Sequence, residues 1–184
     1  MLIRDRINEI RKELVADNIR PPSFMIMRPS SQLKKMITDP PRKGIYPALN
    51  LDGDIFSDIS AALGGSLATA SSIIESKDGT MLYEAPHGTA HDLYLMYLES
   101  DGKTKLFNSS ALIFAVANAL ETLGLRDDNQ PLIDYSDRLK CALIDTVAQG
   151  YVTGDLKGKT TDPSKETIVD MQGFLDAVDK NLGN

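Results

Sequence analysis

The segment 109–123 constrains the fold most strongly, because its pattern predicts a helix that is apolar on most of its faces. Such a helix has no polar side to present to water, so other elements must cover it. Its longest apolar run, residues 111–120, is too short to cross a bilayer, so we expect no membrane insertion. The sequence therefore predicts a helix buried in protein, in an oligomer or against a heteromeric partner, because a large exposed apolar patch favours association.

Around this helix, short strand-like segments alternate with helix-like segments, which indicates an α/β fold class. Further helices are predicted at 2–18, 31–38, 54–63, 131–149 and 170–182. Strands are predicted at 23–27, 45–49 and 81–85, and at the end of 67–74. Turns are expected at 77–79 and 101–103, where Gly follows a charged residue or precedes one.

Two carboxylates stand at a spacing that suits a metal ion. Asp54 and Asp58 lie four residues apart in a predicted helix that Gly64 and Gly65 end, so both share one face. Like charges at this spacing repel by about 0.2–0.5 kcal/mol unless a cation lies between them. Mg²⁺ or Mn²⁺ prefers such oxygen ligands. Alternatively, Asp54 only stabilises the positive helix N-terminus while Asp58 is solvated.

Four motifs occur in a fixed order: Asn-Leu-Asp-Gly-Asp-Ile-Phe-Ser-Asp at 50–58, Gly-Gly-Ser-Leu at 64–67, Glu-Ala-Pro-His-Gly-Thr-Ala at 84–90, and Asn108 before a helix. Together they resemble the β-decarboxylating dehydrogenases, the family of isocitrate and isopropylmalate dehydrogenases. Segments 150–156 and 174–182 resemble the isocitrate branch more closely. The likeness runs from about Phe24 to the end of this chain and corresponds to the back half of the family's chain.

This resemblance implies the α/β fold of the C-terminal half of such an enzyme. Residues 1–80 would be a remnant of the small, dimer-forming domain that carries the metal site. Residues 81–184 would form the C-terminal part of the large nucleotide-binding domain. The implied activity is NAD-linked oxidative decarboxylation of a 2-hydroxy acid, a small-molecule substrate, with Mg²⁺ or Mn²⁺ bound by Asp54 and Asp58.

The resemblance also implies a loop around the adenosine half of the nucleotide. The cofactor-binding residues carried over are Glu84, His87, Gly88, Thr89, Ala90, Asp92, Leu93 and Asn108. Asp92 can accept a hydrogen bond from a ribose 2′-hydroxyl and would repel a 2′-phosphate, so we expect NAD in preference to NADP. His91 stands where many relatives have proline. Without the resemblance, His87 is a structural or solvated loop histidine.

Two parts of the family's active site have no counterpart in this sequence. The metal site's remaining aspartate would fall on Ser30, or on Lys34 or Lys35, and none of these offers a carboxylate. The family's substrate-binding Ser and Arg, its catalytic Tyr and its acid–base Lys precede the matched region, so we expect no catalytic residue in this chain.

Three hypotheses follow from these departures. The chain is the C-terminal portion of an isocitrate dehydrogenase, completed by a homo-oligomeric or heteromeric partner that supplies the missing half. It is a catalytically inactive relative kept as a nucleotide-binding or structural subunit. Or it is an unrelated metabolic α/β domain whose likeness is accidental.

Composition excludes several other classes. With 184 residues, of which 42% are hydrophobic and 25% charged, the chain matches an ordinary globular domain or a compact piece of one. Its net charge of −6 and lack of a basic cluster argue against a nucleic-acid partner. The single cysteine, Cys141, excludes an intramolecular disulfide and is expected to be buried and inert. Charged Arg4, Asp5 and Arg6 argue against a signal peptide, so a cytoplasmic or mitochondrial-matrix location is expected.

Overall fold

The computed structural model describes residues 2–17, 20, 27–39, 46–87, 91–103 and 107–183. The chain divides into two compact units, Met1–Tyr46 and Pro47–Asn184. The described part contains seven α-helices and four short strands, which confirms the predicted mixed α/β class. The proposed division at residue 80 concerns the family's complete fold and stays a prediction.

The first unit contains two helices, α1 at Leu2–Ala16 and α2 at Pro29–Thr38. The first agrees with the predicted helix at 2–18. The second begins two residues earlier than predicted, because Pro29 suits the first helical turn, where its missing N–H is not needed. Met36 is its buried residue. Residues 23–26 of the first predicted strand lie outside the described residues.

In the second unit, helix α3 spans Asn50–Leu63 and begins four residues before the predicted start. The N–H of Gly53 donates to the carbonyl of Leu49 at 2.7 Å, so the helical hydrogen bonds start inside the first motif. Asp52 lies in this first turn, where a carboxylate favours the positive end of a helix. The predicted strand at 45–49 is therefore wrong for residues 46–49, and residue 45 lies outside the described part.

A β-hairpin follows, with β1 at Ser72–Glu75 antiparallel to β2 at Met81–Glu84. Both strands and the turn between them agree with the sequence prediction. Gly79 has a φ of +83°, a conformation that favours glycine in the turn. Helix α4, at His91–Glu99, comes next in the chain. Residues 91–93 were expected in the nucleotide loop, but they form the first turn of this helix, in which Asp92 is favoured.

Three long helices form the core of the second unit: α5 at Ser110–Arg126, α6 at Gln130–Ala148 and α7 at Met171–Leu182. All three agree with the predicted helices within a few residues. Helix α5 packs against α6, and α6 packs against α7. The buried cluster consists of Ala142, Leu143, Phe174 and Val178. None of the helices in the described part of the chain combines the length and apolar character that crossing a membrane requires.

Burial of α5 is incomplete. Its small residues Ala111, Ala115 and Ala117 are buried, whereas Leu112 and Val116 on another face are exposed. The predicted cover of this face by an oligomeric or heteromeric partner stays a prediction. Cys141, predicted to be buried, is exposed, because α6 turns its Ala142–Leu143 side toward the core and the thiol to the other side.

Two short strands escaped the sequence analysis. Strand β3, at Tyr151–Val152, pairs in parallel with β4 at Thr167–Ile168. Gly150 precedes β3 with a φ of +93°, and a Cβ at this position would lie 2.4 Å from the carbonyl oxygen of Lys165. Only glycine allows this close approach of the two backbones. The pairing positions the loop that follows β3.

Replacing Gly150 by Ala is expected to destabilise the chain by about 2 kcal/mol or more, because it combines an unfavourable φ with a backbone clash. Gly154→Ala is the matched control, since nothing lies within 4 Å of its added Cβ. Urea unfolding followed by circular dichroism measures both. Equal stability of the two variants would contradict the tight β3–β4 approach.

Candidate functional site

The carboxylate of Asp155 joins three separate segments of the second unit. Its Oδ2 accepts hydrogen bonds from Ser66 Oγ at 2.5 Å and from Asn108 Nδ2 at 2.9 Å. Its Oδ1 accepts one from Thr153 Oγ1 at 2.6 Å. Ser66 follows α3, Asn108 precedes α5, and Thr153 follows β3. One side chain therefore holds the end of α3, the start of α5 and the loop after β3 together.

These hydrogen bonds fix the charge state of the carboxylate. Partial burial raises the pKa of Asp155, but the hydrogen bonds from Ser66, Thr153 and Asn108 lower it and outweigh the burial. The pKa of Asp155 consequently lies below its ordinary value. At neutral pH the group is an anion that only accepts hydrogen bonds, which matches its three donors.

The side-chain amide of Asn108 is held at both ends. Its Nδ2 donates to Asp155, and its Oδ1 accepts from the backbone N–H of Ser110 at 2.9 Å. The reversed amide would set a donor against the Ser110 N–H and an acceptor against the carboxylate, so only one orientation fits. Asn108 is buried, and its position directly before the N-cap of α5 is thereby fixed.

Two serine hydroxyls lie beside this amide. Ser109 and Ser110 are only 5% and 3% exposed, and neither hydroxyl has a hydrogen-bond partner among the described residues. Buried polar groups in proteins are nearly always hydrogen-bonded. The free N–H groups of a helix N-terminus also favour electron-rich ligand atoms. The start of α5 thus offers hydrogen-bonding capacity that the described residues leave unused.

His87 lies next to the same segment. Its ring meets the ring of Phe107 edge-on, with centroids 5.3 Å apart and planes at 70°. Since Phe107 directly precedes Asn108, the structure brings two of the predicted nucleotide-binding residues, His87 and Asn108, into one region. Glu84 is half-buried at the end of β2, opposite Ser72.

The remaining predicted nucleotide residues divide into two groups. Gly88, Thr89 and Ala90 lie outside the described residues. Asp92 is exposed in the first turn of α4, and Leu93 is half-buried beside it. The structure therefore does not place the Asp92 carboxylate in an enclosed pocket.

The predicted metal ligands Asp54 and Asp58 lie four residues apart on α3, and both are exposed. Carboxylates suit a hard divalent cation, but a protein site for one usually draws on more ligands than two. Across the described ranges, no three His, Cys, Asp or Glu side chains come together to hold a metal ion. The pair fits a metal only as part of a site whose other donors come from elsewhere.

Sequence reasoning missed Ser66, Thr153 and Asp155. The segment 150–156 entered only as a likeness to the isocitrate branch. Partners 89 and 47 residues away from Asp155 leave no local pattern that a sequence reveals. Thr153 is fully buried, although a residue with a polar hydroxyl is more often expected at the surface.

The α/β fold and its ordered motifs define the class of protein. The family model described as isocitrate/isopropylmalate dehydrogenase matches residues 29–178, so the chain belongs to that family.

Named relatives narrow the comparison to the isocitrate branch. The chain is 35% identical over 143 residues to the mitochondrial NADP isocitrate dehydrogenase of Sus scrofa, which covers 75% of this chain and 34% of the relative. It is 38% identical over 135 residues to the mitochondrial NADP isocitrate dehydrogenase of Saccharomyces cerevisiae, and the match covers 72% of this chain and 31% of that relative. It is 33% identical over 141 residues to the chloroplastic/mitochondrial NADP isocitrate dehydrogenase of Arabidopsis thaliana, and the match covers 75% of this chain and 29% of that relative. The chain thus spans about a third of the length of these relatives.

These relatives contradict the prediction that NAD is preferred, because each is named for NADP. The prediction rested on repulsion between Asp92 and a 2′-phosphate inside a closed pocket. In the structure Asp92 is exposed at the start of α4. Water and salt screen an exposed charge, so this carboxylate alone does not decide between the two nucleotides.

The hydrogen bonds to Asp155 predict a pH-dependent loss of stability. Because folding lowers its pKa, Asp155 stabilises the native chain above about pH 4, and this contribution disappears as the pH falls through the native value. Asp155→Asn turns one acceptor into a donor facing other donors and should cost about 1 kcal/mol at pH 7. The difference from wild type should shrink below about pH 4.

Urea unfolding between pH 3 and pH 7 measures this difference. Asp145→Asn, an exposed carboxylate on α6, serves as the control. A difference between wild type and Asp155→Asn that stays constant across the range would show that the carboxylate does not act through its charge.

Proposed function

We propose that this chain is the C-terminal, nucleotide-holding portion of an NADP-linked isocitrate dehydrogenase-type oxidoreductase. The rest of the family's fold supplies the substrate-binding and acid–base groups. The family membership and the NADP-named relatives support the reaction class and the cofactor. Because the chain spans about a third of those relatives, the complete activity belongs to the assembled fold.

The observation that carries the proposal is the arrangement at the start of α5. Asn108 is fixed there by Asp155, beside two buried hydroxyls without partners among the described residues and beside the His87–Phe107 pair. A nucleotide base and ribose present both donors and acceptors, and their flat apolar faces suit aromatic neighbours. The adenosine half of NADP matches these features.

The division of labour follows from this assignment. A bound NADP would supply the hydride acceptor for oxidation at the hydroxyl-bearing carbon of the substrate. This chain orients the adenosine half through Asn108 and the serine hydroxyls. Asp54 and Asp58 would contribute two carboxylates to a Mg²⁺ or Mn²⁺ site whose other donors lie outside the described residues.

Ser109→Ala separates a ligand-binding role from a structural one. The hydroxyl makes no cap hydrogen bond to α5 and is buried, so its removal should leave the ligand-free chain equally stable or up to about 1 kcal/mol more stable. It should weaken NADP binding about five- to tenfold, which corresponds to one lost hydrogen bond.

Calorimetry measures the affinity for NADP, and thermal unfolding measures the stability of the ligand-free chain. Thr122→Ala, on the same helix, is the control, since its hydroxyl bonds to the Asn118 carbonyl. It should leave affinity unchanged. Equal NADP affinity of wild type and Ser109→Ala would remove this hydroxyl from the proposed site.

The isolated chain should form no NADPH above background from isocitrate, NADP and Mn²⁺. Positioning of reactants contributes about 7–11 kcal/mol in well-organised active sites, and the groups that position this substrate are expected outside the chain. Co-expression with the segment of the Sus scrofa enzyme that precedes the matched region should give measurable NADPH formation, followed at 340 nm.

Within that complemented pair, Asn108→Ala should reduce NADPH formation at least tenfold, whereas Asp137→Asn, an exposed carboxylate on α6, should not change it. NADP binding without NADPH formation would favour the inactive, nucleotide-binding relative. Robust turnover by the isolated chain would contradict the proposed division of labour.

A further inference from the structure

A cavity of about 260 Å³ lies where the end of α6, the start of β3 and one face of α7 meet. Helix α7 packs against both α6 and β3 in this region. The α7 residues that line the cavity are Gly173, Asp176, Ala177, Lys180 and Asn181. Their spacing of three, one, three and one places them on one face of the helix. Because Gly173 and Ala177 are small, they leave space between this face and the ring of Tyr151 on β3.

Two amide side chains that line the cavity hold each other. Gln149 Nε2 donates to Asn181 Oδ1 at 3.2 Å, and Asn181 Nδ2 donates to the hydroxyl of Thr146 at 2.8 Å. Thr146 is buried, and its hydroxyl donates in turn to the carbonyl of Ala142 at 2.7 Å. Side chains that are already fixed lose little freedom when a ligand binds. The carbonyl oxygen of Gln149 stays available as an acceptor, since Asn181 Nδ2 lies 3.5 Å from it, at the limit of a hydrogen bond.

Two opposite charges on α7 also line this cavity. Asp176 and Lys180 stand four residues apart, a spacing at which an acidic and a basic residue can pair on a helix. Among the described residues, however, Lys180 forms no ion pair. Asp176 Oδ1 accepts from Gln172 Nε2 at 2.8 Å, and within the same residues its Oδ2 accepts no hydrogen bond. One positive and one negative group are therefore both available to a ligand.

The groups around the cavity are complementary to a small zwitterion. A free α-amino acid carries an ammonium and a carboxylate on one carbon at neutral pH. Its ammonium can donate to Asp176 and to the carbonyl oxygen of Gln149, and its carboxylate can accept from Lys180. The ring of Tyr151 attracts a cation and offers an apolar surface to a side chain. A phosphate or a polycarboxylate fits this set less well, because Asp176 would repel it.

We propose that the cavity between α6, β3 and α7 binds a free α-amino acid with an uncharged side chain. Asp176 holds its ammonium, Lys180 holds its carboxylate, and Tyr151 packs against its side chain. Every group that the site uses belongs to this chain. The site shares no residue with the start of α5, so it is separate from the proposed nucleotide site.

NMR titration of the full chain with L-glutamine tests the proposal. Saturable shifts are expected at the backbone amides of Gln149, Tyr151 and Ala177, whereas the amides of Ser109 and Ser110 at the start of α5 serve as references. Two analogues dissect the zwitterion, since glutaramate lacks the ammonium and 4-aminobutanamide lacks the carboxylate. Each analogue should bind at least about tenfold more weakly than L-glutamine, because it loses one charge-assisted hydrogen bond.

Substitutions provide the second measurement. Asp176→Asn and Lys180→Met should each weaken L-glutamine binding at least about tenfold, because each removes one of the two charges that hold the ligand. The matched controls are Asp179→Asn, on the same helix, and Lys157→Met; both side chains are exposed and lie outside the cavity. Neither control should change the affinity. Circular dichroism of each variant verifies that the chain stays folded.

Each outcome decides for or against the site. Saturable binding that both analogues and both cavity variants weaken would support it. Equal binding of glutaramate and L-glutamine would overturn the zwitterion, and binding that Asp176→Asn and Lys180→Met leave unchanged would place the ligand elsewhere. The absence of saturable shifts in a folded chain would overturn the site itself. Lys180→Met should bind NADP as wild type does, so the proposed function is tested independently.

Discussion

The second unit depends on one shared acceptor, the carboxylate of Asp155. Ser66, Asn108 and Thr153 each donate to it, so the end of α3, the start of α5 and the loop after β3 meet at one point. Hydrogen bonds to a charged group contribute more than neutral ones, about 1.5–3 kcal/mol each before solvent screening. Their number explains why the pKa of Asp155 lies below its ordinary value despite partial burial. The same contacts orient Asn108, on which the proposed nucleotide site is built.

The sequence predicted those helices and strands that are determined by residues close together in the chain. The helices α5, α6 and α7 follow from apolar spacing, the end of α3 follows from Gly64 and Gly65, and the hairpin follows from its glycine turn. The pairing of β3 with β4 and the hydrogen bonds to Asp155 depend on residues far apart in the sequence, so no local sequence pattern predicts them. The prediction of NAD was wrong for a related reason. It assumed that Asp92 lies inside an enclosed nucleotide pocket, whereas this side chain is exposed at the start of α4.

Two elements of the second unit leave apolar side chains exposed. Helix α5 buries its alanine face but exposes Leu112 and Val116, and the hairpin exposes isoleucines on both faces. Asp54 and Asp58 provide two carboxylates without a third group nearby among the described residues. The chain spans about a third of the length of its named relatives. The α5–α6–α7 core, in contrast, is packed within this chain around Phe174 and Leu143.

A double-mutant cycle between Asn108 and Asp155 tests the central claim most directly. Urea unfolding of wild type, Asn108→Ala, Asp155→Ala and the double variant gives the coupling free energy between the amide and the carboxylate. Residues that share a hydrogen-bond network couple by about 0.5–3 kcal/mol, and we expect about 1 kcal/mol here because the carboxylate is partly solvated. Additive losses within about 0.3 kcal/mol would show that Asp155 does not hold Asn108 in place, and the account of the site would fail with it.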